Sequence, residues 1–203
     1  MDGRDGRRSL ALVDVRMKIF GWLLRKRDPA CEWVADATVA TMLDLDRPAL
    51  CGIALGSPIH SISRLGRPAN DQPTREGSYV YRDRGFVIDC SAQVVTGFTV
   101  YLGPSSSRYG MSVFQGPVVH AGEPATLSTL TQLSEFCSRF GDPYWTDTDG
   151  AETLLFYEYG EVEWQAEFDN RGQLQVLTIV TPPLLSKQDQ RAAYRVTKAW
   201  PPG

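Results

Sequence analysis

Histidine is nearly absent from this chain. Of its 203 residues only His60 and His120 are histidines, and neither has a second His or Cys at metal-ligand spacing. Both are read as surface or structural side chains. The four cysteines, Cys31, Cys51, Cys90 and Cys137, include no CxxC pair, which excludes a zinc knuckle and a thioredoxin-type motif. Free, mostly buried thiols are expected, with disulfides left as the alternative by their even number. The chain also lacks a GxSxG elbow, a GxxxxGK[ST] phosphate loop and a GxGxxG fingerprint. No cofactor is expected. Excess positive charge is missing too: the net charge is -3, so no basic field gathers nucleic acid, and no nucleic-acid partner is expected.

Long apolar runs are equally scarce near the amino terminus. Residues 19–24 are apolar, far short of a membrane span and shorter than a signal-peptide core, and Arg25, Lys26 and Arg27 follow them. The expectation is a cytoplasmic protein without a transmembrane segment. Met17 is an alternative start to Met1. A short helix carrying Phe20, Trp22 and Leu23 is expected to dock on the domain, with a membrane surface as the alternative.

What is present is a globular composition, 42% hydrophobic and 22% charged, and a repeat. Arg64-Leu65-Gly66-Arg67-Pro68 returns as Arg139-Phe140-Gly141-Asp142-Pro143. The same shift places Leu55 on Leu130, Gly85 on Gly160, Val87 on Val162 and Gly97 on Gly172 without a gap. Each motif reads as a helix end, with Gly66 and Gly141 as left-handed caps and the prolines preventing continuation. The organisation expected is a tail and helical extension over 1–50, a first repeat over 51–122, a second over 123–182 and a terminal helix within 183–203.

In the extension, Trp33, Ala37, Ala40 and Leu43 fall at helical spacing. The first repeat is expected to form a helix at 58–65, capped by Ser57, then strands at 79–83, 86–92, 98–102 and 111–119, with turns at Gly85 and Gly97. The second is expected to form a helix at 127–140, capped by Thr126 or Ser128, and strands at 153–159, 161–168 and 173–181, with turns at Gly160 and Asp169–Gly172. A final helix is expected from Ser186 to Ala199. The fold class is therefore α+β: tandem helix-plus-antiparallel-strand repeats forming a sheet with helices packed on it, plus terminal helices.

The copies differ in one respect. Val162, Trp164, Ala166 and Phe168 alternate with Glu161, Glu163, Gln165 and Glu167, the pattern of a half-buried strand. The gapless alignment instead sets Phe86, Ile88 and Cys90 against the polar set, at Glu161, Glu163 and Gln165. A one-residue slip turns every side chain over, so either a bulge shifts one register or the first copy bears an extra apolar face. Such a face would be covered by Trp22, Leu23, Trp33 and Leu43, or by a partner.

No catalytic constellation emerges. Glu161, Glu163 and Glu167 read as a charged ladder on a wet strand face rather than an acid-base pair. The Gly103–Gly110 loop with Arg108 enters a strand, not a helix, and reads as a connection. Aligning Asp147, Asp149 and Gly150 with a calcium loop puts Trp145 and Phe156 where carboxylates belong. The loop from Tyr144 to Gly150 is therefore a solvated turn with an aromatic tip. The candidate partner-binding residues are Tyr144, Trp145, Asp147 and Asp149, together with Phe86 and Ile88 on the apolar face.

The unit of helix, Gly-x-Pro and hairpin strands ending in Glu167-Phe168-Asp169-Asn170-Arg171-Gly172-Gln173-Leu174 resembles the small α+β module of the beta-lactamase inhibitor protein and of the SmpA/OmlA lipoproteins. The resemblance implies two units stacked into one curved sheet. The function expected is a non-catalytic protein-binding module of adaptor, inhibitor or immunity type. The alternative is an enzyme or small-ligand carrier with a pocket between the copies, served by His60, Arg64 and Arg139.

Overall fold

A computed structural model of the chain describes residues 29–70, 77–104, 109–125, 127–128 and 131–199. The expected helix around Phe20, Trp22 and Leu23 lies outside them. The described residues form a mostly β protein, not helices packed on one sheet: a five-stranded and a seven-stranded sheet, with helix confined to short segments.

The small sheet is built from β1 (Leu43–Asp44), β2 (Ala49–Leu50), β3 (Ile53–Ala54), β7 (Val118–His120) and β8 (Glu123–Ala125), in the order β3-β2-β1-β7-β8. The large one contains β4 (Gly77–Tyr81), β5 (Phe86–Ser91), β6 (Val94–Tyr101), β9 (Trp145–Thr148), β10 (Glu152–Tyr159), β11 (Val162–Asp169) and β12 (Leu174–Val180), in the order β4-β5-β6-β12-β11-β10-β9. The α-helices are α1 (Leu133–Phe140) and α2 (Gln188–Ala193), joined by short 3-10 turns such as Ile59–Arg64.

The tandem units meet head to head. The third strands of the two copies, β6 and β12, pair antiparallel with Thr99 opposite Thr178, and their hydroxyls lie 3.2 Å apart. About that pair the layers correspond. Tyr81, Phe86 and Val100 are neighbours across β4, β5 and β6, as Tyr157, Trp164 and Ile179 are across β10, β11 and β12. The copies therefore differ in register, but not through a bulge in one of them. The structural counterpart of Phe86 is Trp164, three residues beyond the Glu161 that the gapless alignment gives it, and an odd offset turns the middle strand over. Both copies bulge at the equivalent place, between Asp89 and Cys90 and between Glu167 and Phe168. Phe86, Ile88, Trp164, Ala166 and Phe168 all enter one core. Trp33 stacks on Tyr79 at 5.5 Å and Leu43 is fully buried, so part of the extension joins that core.

Several expected elements are replaced. The helix over 32–43 does not form, because the Asp36 carboxylate binds the Thr38 amide and hydroxyl as a local turn, while Ala35 bridges to Leu65. Side-chain bonding of this kind competes with helix. The 58–65 helix is a 3-10 turn without a Ser57 cap. The 127–140 helix shortens to α1, preceded by Gln132 without a side-chain cap, and the terminal helix shortens to α2. The strand over 111–119 is reduced to β7, since residues 111–115 run irregularly and insert Phe114 into the core. Gly97 lies inside β6, opposite Asp89 and Val180; the turn is made by Ala92 and Gln93 at φ of 49° and 70°. The turns at Gly85 and Gly160 stand, both with positive φ, and the Asp169 carboxylate shapes the third by accepting the Arg171 and Gln173 amides.

The cysteines are all free thiols. Burial raises the Cys51 thiol and pushes Cys90 up to about 12, which makes both poor nucleophiles.

Candidate functional site

The two ends of the seven-stranded sheet are finished differently. At β4 the outer edge is plugged: Asn70 donates to the Ser78 carbonyl at 2.7 Å and accepts the Val80 amide at 2.9 Å, and the Ala69 amide bonds the Val80 carbonyl. A side-chain amide thus stands in for a missing strand. At the other end β9 is short, and Thr146, Asp147 and Thr148 are exposed. The Asp149 amide bonds the Glu152 carbonyl, so the alternation of the ladder turns the main-chain groups of Thr146 and Thr148 outward.

β9 pairs with β10 no further than Trp145 opposite Phe156, although β10 runs on to Tyr159. Beyond that point an open cleft of about 220 Å³ is lined by Phe140, Asp142, Tyr144, Tyr157, Glu158, Tyr159 and Lys198. The Glu158 side chain is fully buried, yet the residue as a whole is half-buried, so solvent reaches its main chain.

Below the cleft the segment 181–199 docks through a polar cluster. Glu158 and Glu163 face each other across β10 and β11, an arrangement that is unfavourable unless each carboxylate is compensated. Glu158 is held by the buried Arg191 guanidinium and by Lys198, whose ammonium is 3.1 Å from Oε2. Arg191 also donates to the Leu185 and Lys198 carbonyls at 2.7 and 3.1 Å. Glu163 accepts the Tyr144 hydroxyl at 2.5 Å and the Gln165 amide at 2.6 Å. Arg191 and Lys198 lie over the Tyr144 ring at 5.0 and 5.8 Å. Burial, reinforced by the bond to Glu163, pushes the Tyr144 phenol up, and desolvation lowers both Arg191 and Lys198.

The residues expected to contact a partner separate accordingly. Tyr144 belongs to this cluster. Trp145 stacks on Phe156 at 4.4 Å and meets Tyr194 at 5.2 Å. Asp147 is exposed on β9, while Asp149 accepts the Ala151 and Glu152 amides and so builds the turn. Phe86 and Ile88 have no exposed surface and present nothing to a partner. His60, Arg64 and Arg139 do not line the cleft; Arg64 faces Asp36 at 4.0 Å and Arg139 lies over the Phe140 ring. His120 packs against Phe140 and Trp164, with Nδ1 3.1 Å from an Asp46 carboxylate oxygen.

Glu158, Glu163, Arg191 and Lys198 were missed by sequence reasoning, which read Glu163 as part of a wet ladder. The signal was the two-residue turn at Gly160-Glu161: it sets Glu158 opposite Glu163, and opposed carboxylates call for a cation. No cluster of His, Cys, Asp and Glu fit to hold a metal occurs among the described residues, and no helix among them is long and apolar enough to cross a membrane.

No family model matches the chain, and no curated protein matches it either. Among solved structures it is similar to a cysteine-rich secretory protein from Staphylococcus aureus, at 12% identity and a TM-score of 0.41, over 67% of this chain and 46% of that one.

Proposed function

We propose that the protein is a non-catalytic binding module whose partner is another protein, met at the β9 end of the seven-stranded sheet. The observation that carries this reading is the contrast between the sheet's edges. Strand edges left bare invite pairing, and proteins ordinarily blunt them; this one plugs β4 with Asn70 and presents β9. Aromatic residues beside the edge, Trp145, Tyr194 and Tyr159, are of the type enriched in interfaces.

The test is affinity capture from the native cell extract with the unmodified protein and with Thr146→Pro. Proline removes an outward N–H from an edge strand, where it is tolerated. The expected result is one protein retained stoichiometrically by the former and lost by the latter. Equal capture by both, or no captured protein together with a thermal shift by a metabolite, overturns the reading.

A further inference from the structure

Where β9 stops, β10 continues with a main chain that solvent reaches and a ring of acidic and aromatic groups around it. We propose that this cleft is a recognition site for a lysine or arginine side chain carried on an extended peptide segment, which adds to the exposed edge of β10 at Glu158. The inference rests on the protein-binding reading above and names the chemistry of the partner.

Three observations converge on it. The first is the edge. Phe156 accepts the Tyr144 amide on the β9 side, so by the alternation of an antiparallel ladder Glu158 presents its N–H and C=O on that same side. β9 has already ended there, and the exposed part of Glu158 is its main chain. An incoming extended strand finds one donor and one acceptor.

The second is the lining. Phe140, Tyr144 and Tyr159 supply aromatic surface and Asp142 a carboxylate, while the Glu158 carboxylate is buried and already holds Arg191 and Lys198. Faces of aromatic rings attract cations, most of all where water is partly excluded. About 220 Å³ is room for ~7 waters at ~30 Å³ each, enough for a side chain rather than a large cofactor.

The third is the cleft's own occupant. The Lys198 ammonium sits 3.1 Å from a Glu158 oxygen and 5.8 Å from the centre of the Tyr144 ring, so the site already holds the kind of group assigned to it. Lys198 is only partly enclosed: its side chain is 42% exposed. Its carbonyl, not its ammonium, is what Arg191 binds, so truncating the side chain leaves the anchor of the terminal segment in place.

The experiment titrates the full chain and Lys198→Ala with three probes: the blocked peptide acetyl-Thr-Val-Lys-Val-Thr-amide, the same peptide with norleucine for lysine, and n-butylammonium. Affinity and the amide shift of Glu158 are both read. The lysine peptide should bind Lys198→Ala about tenfold more tightly than the unmodified protein, shift the Glu158 amide, and lose about tenfold with norleucine or with Asp142→Asn, the scale of one partly desolvated cation contact. Butylammonium should bind without moving that amide. Equal binding of the two peptides, an unmoved Glu158 amide, or full reproduction of the peptide's effects by butylammonium overturns the proposal. Thr146→Pro separates the two readings. Peptide binding retained in that variant while partner capture is unaffected by it counts against the β9 edge alone, and partner capture lost in it with no peptide binding to any form counts against the cleft alone.

Discussion

A tyrosine hydroxyl closes each copy of the repeated motif in the same way. Tyr81 donates to the Gly66 carbonyl at 3.2 Å and Tyr157 to the Gly141 carbonyl at 3.0 Å. The recurring Gly-x-Pro string is therefore more than a helix stop: it presents a carbonyl to the first strand of its own unit. Gly66 has φ of +80° and Gly141 has φ of +81° with ψ of -166°, a region other residues scarcely enter. Tyr81→Phe and Tyr157→Phe should each cost about 1 kcal/mol, the net worth of one buried hydrogen bond, and should add in the double variant because the sites are independent; urea unfolding measures all three. Asp89 acts in the opposite sense. Burial raises its carboxyl from the usual value, against the bond from Ser78. The folded state thus holds that proton to higher pH than the unfolded chain, so ionised Asp89 weakens the fold at neutral pH and the penalty fades as pH falls toward its unfolded value. Asp89→Asn keeps an acceptor for Ser78 and should raise stability at pH 7, an advantage that narrows near pH 4. The carboxyls of Asp36, Asp46 and Asp149 are held low, chiefly by hydrogen bonds from Thr38, from Ala121 and Gly122, and from Ala151 and Glu152 respectively. Their support is present at neutral pH and is lost only as pH falls below the usual carboxylate value of 3.8, so melting curves taken at pH 7, at pH 4.5 and well below that value separate the two kinds of group.

At the scale of elements, strands with strict alternation and a glycine or Asx turn were legible, and elements fixed by distant partners were not. Val162, Trp164, Ala166 and Phe168 announce β11 because its core face is apolar throughout. The two-residue strands β1, β2 and β3 are too short to carry any period. Gly97 was misplaced because a glycine inside a strand reads like a turn; a Cβ there would lie 3.2 Å from the Val180 side chain, a close contact across the sheet. The true turn at Ala92 and Gln93 carries neither glycine nor asparagine, so no local signal marks it. The site followed the same rule. Tyr144 and Trp145 were singled out by their chemistry as contact residues and are seen in contacts within the chain, whereas the cleft depends on where β9 ends and on the return of Arg191 and Lys198 from the end of the chain. Glycines of equal φ also differ by context. At Gly85, φ +73°, a Cβ would fall 2.5 Å from the Phe114 amide nitrogen and the Ser112 carbonyl oxygen; at Gly172, φ +74°, the nearest atom is 3.6 Å away. Gly172→Ala should cost only the left-handed backbone penalty, about 1–2 kcal/mol. Gly85→Ala should cost well over that, since backbone on both sides must move, and a thermal melt in which the two variants match would refute the close approach of residues 112–114.

At the scale of the whole molecule the seven-stranded sheet is made of two units, and the joint between them decides how it unfolds. Had the copies been separate beads, each would open alone, as repeats with small interfaces do. Here β6 and β12 pair over five positions, from Gly97 opposite Val180 to Tyr101 opposite Val176. The inner faces on both sides of that joint drain into a single core, in which Phe98 and Val100 of one copy meet Leu177 and Ile179 of the other. Opening either unit would expose the strand edge and apolar face of its twin, so the two should be one cooperative block. Native-state hydrogen exchange tests this at Ile88 in β5 and Ala166 in β11, equivalent core positions of the two copies. Their opening free energies should agree. Phe168→Ala, a cavity in the second copy alone, should lower both by the same ~3–5 kcal/mol. A drop confined to Ala166 would mean that the joint transmits little and that each copy is stable by itself; in that case the open β9 edge and its cleft belong to a unit able to loosen around a partner while the first copy stays closed.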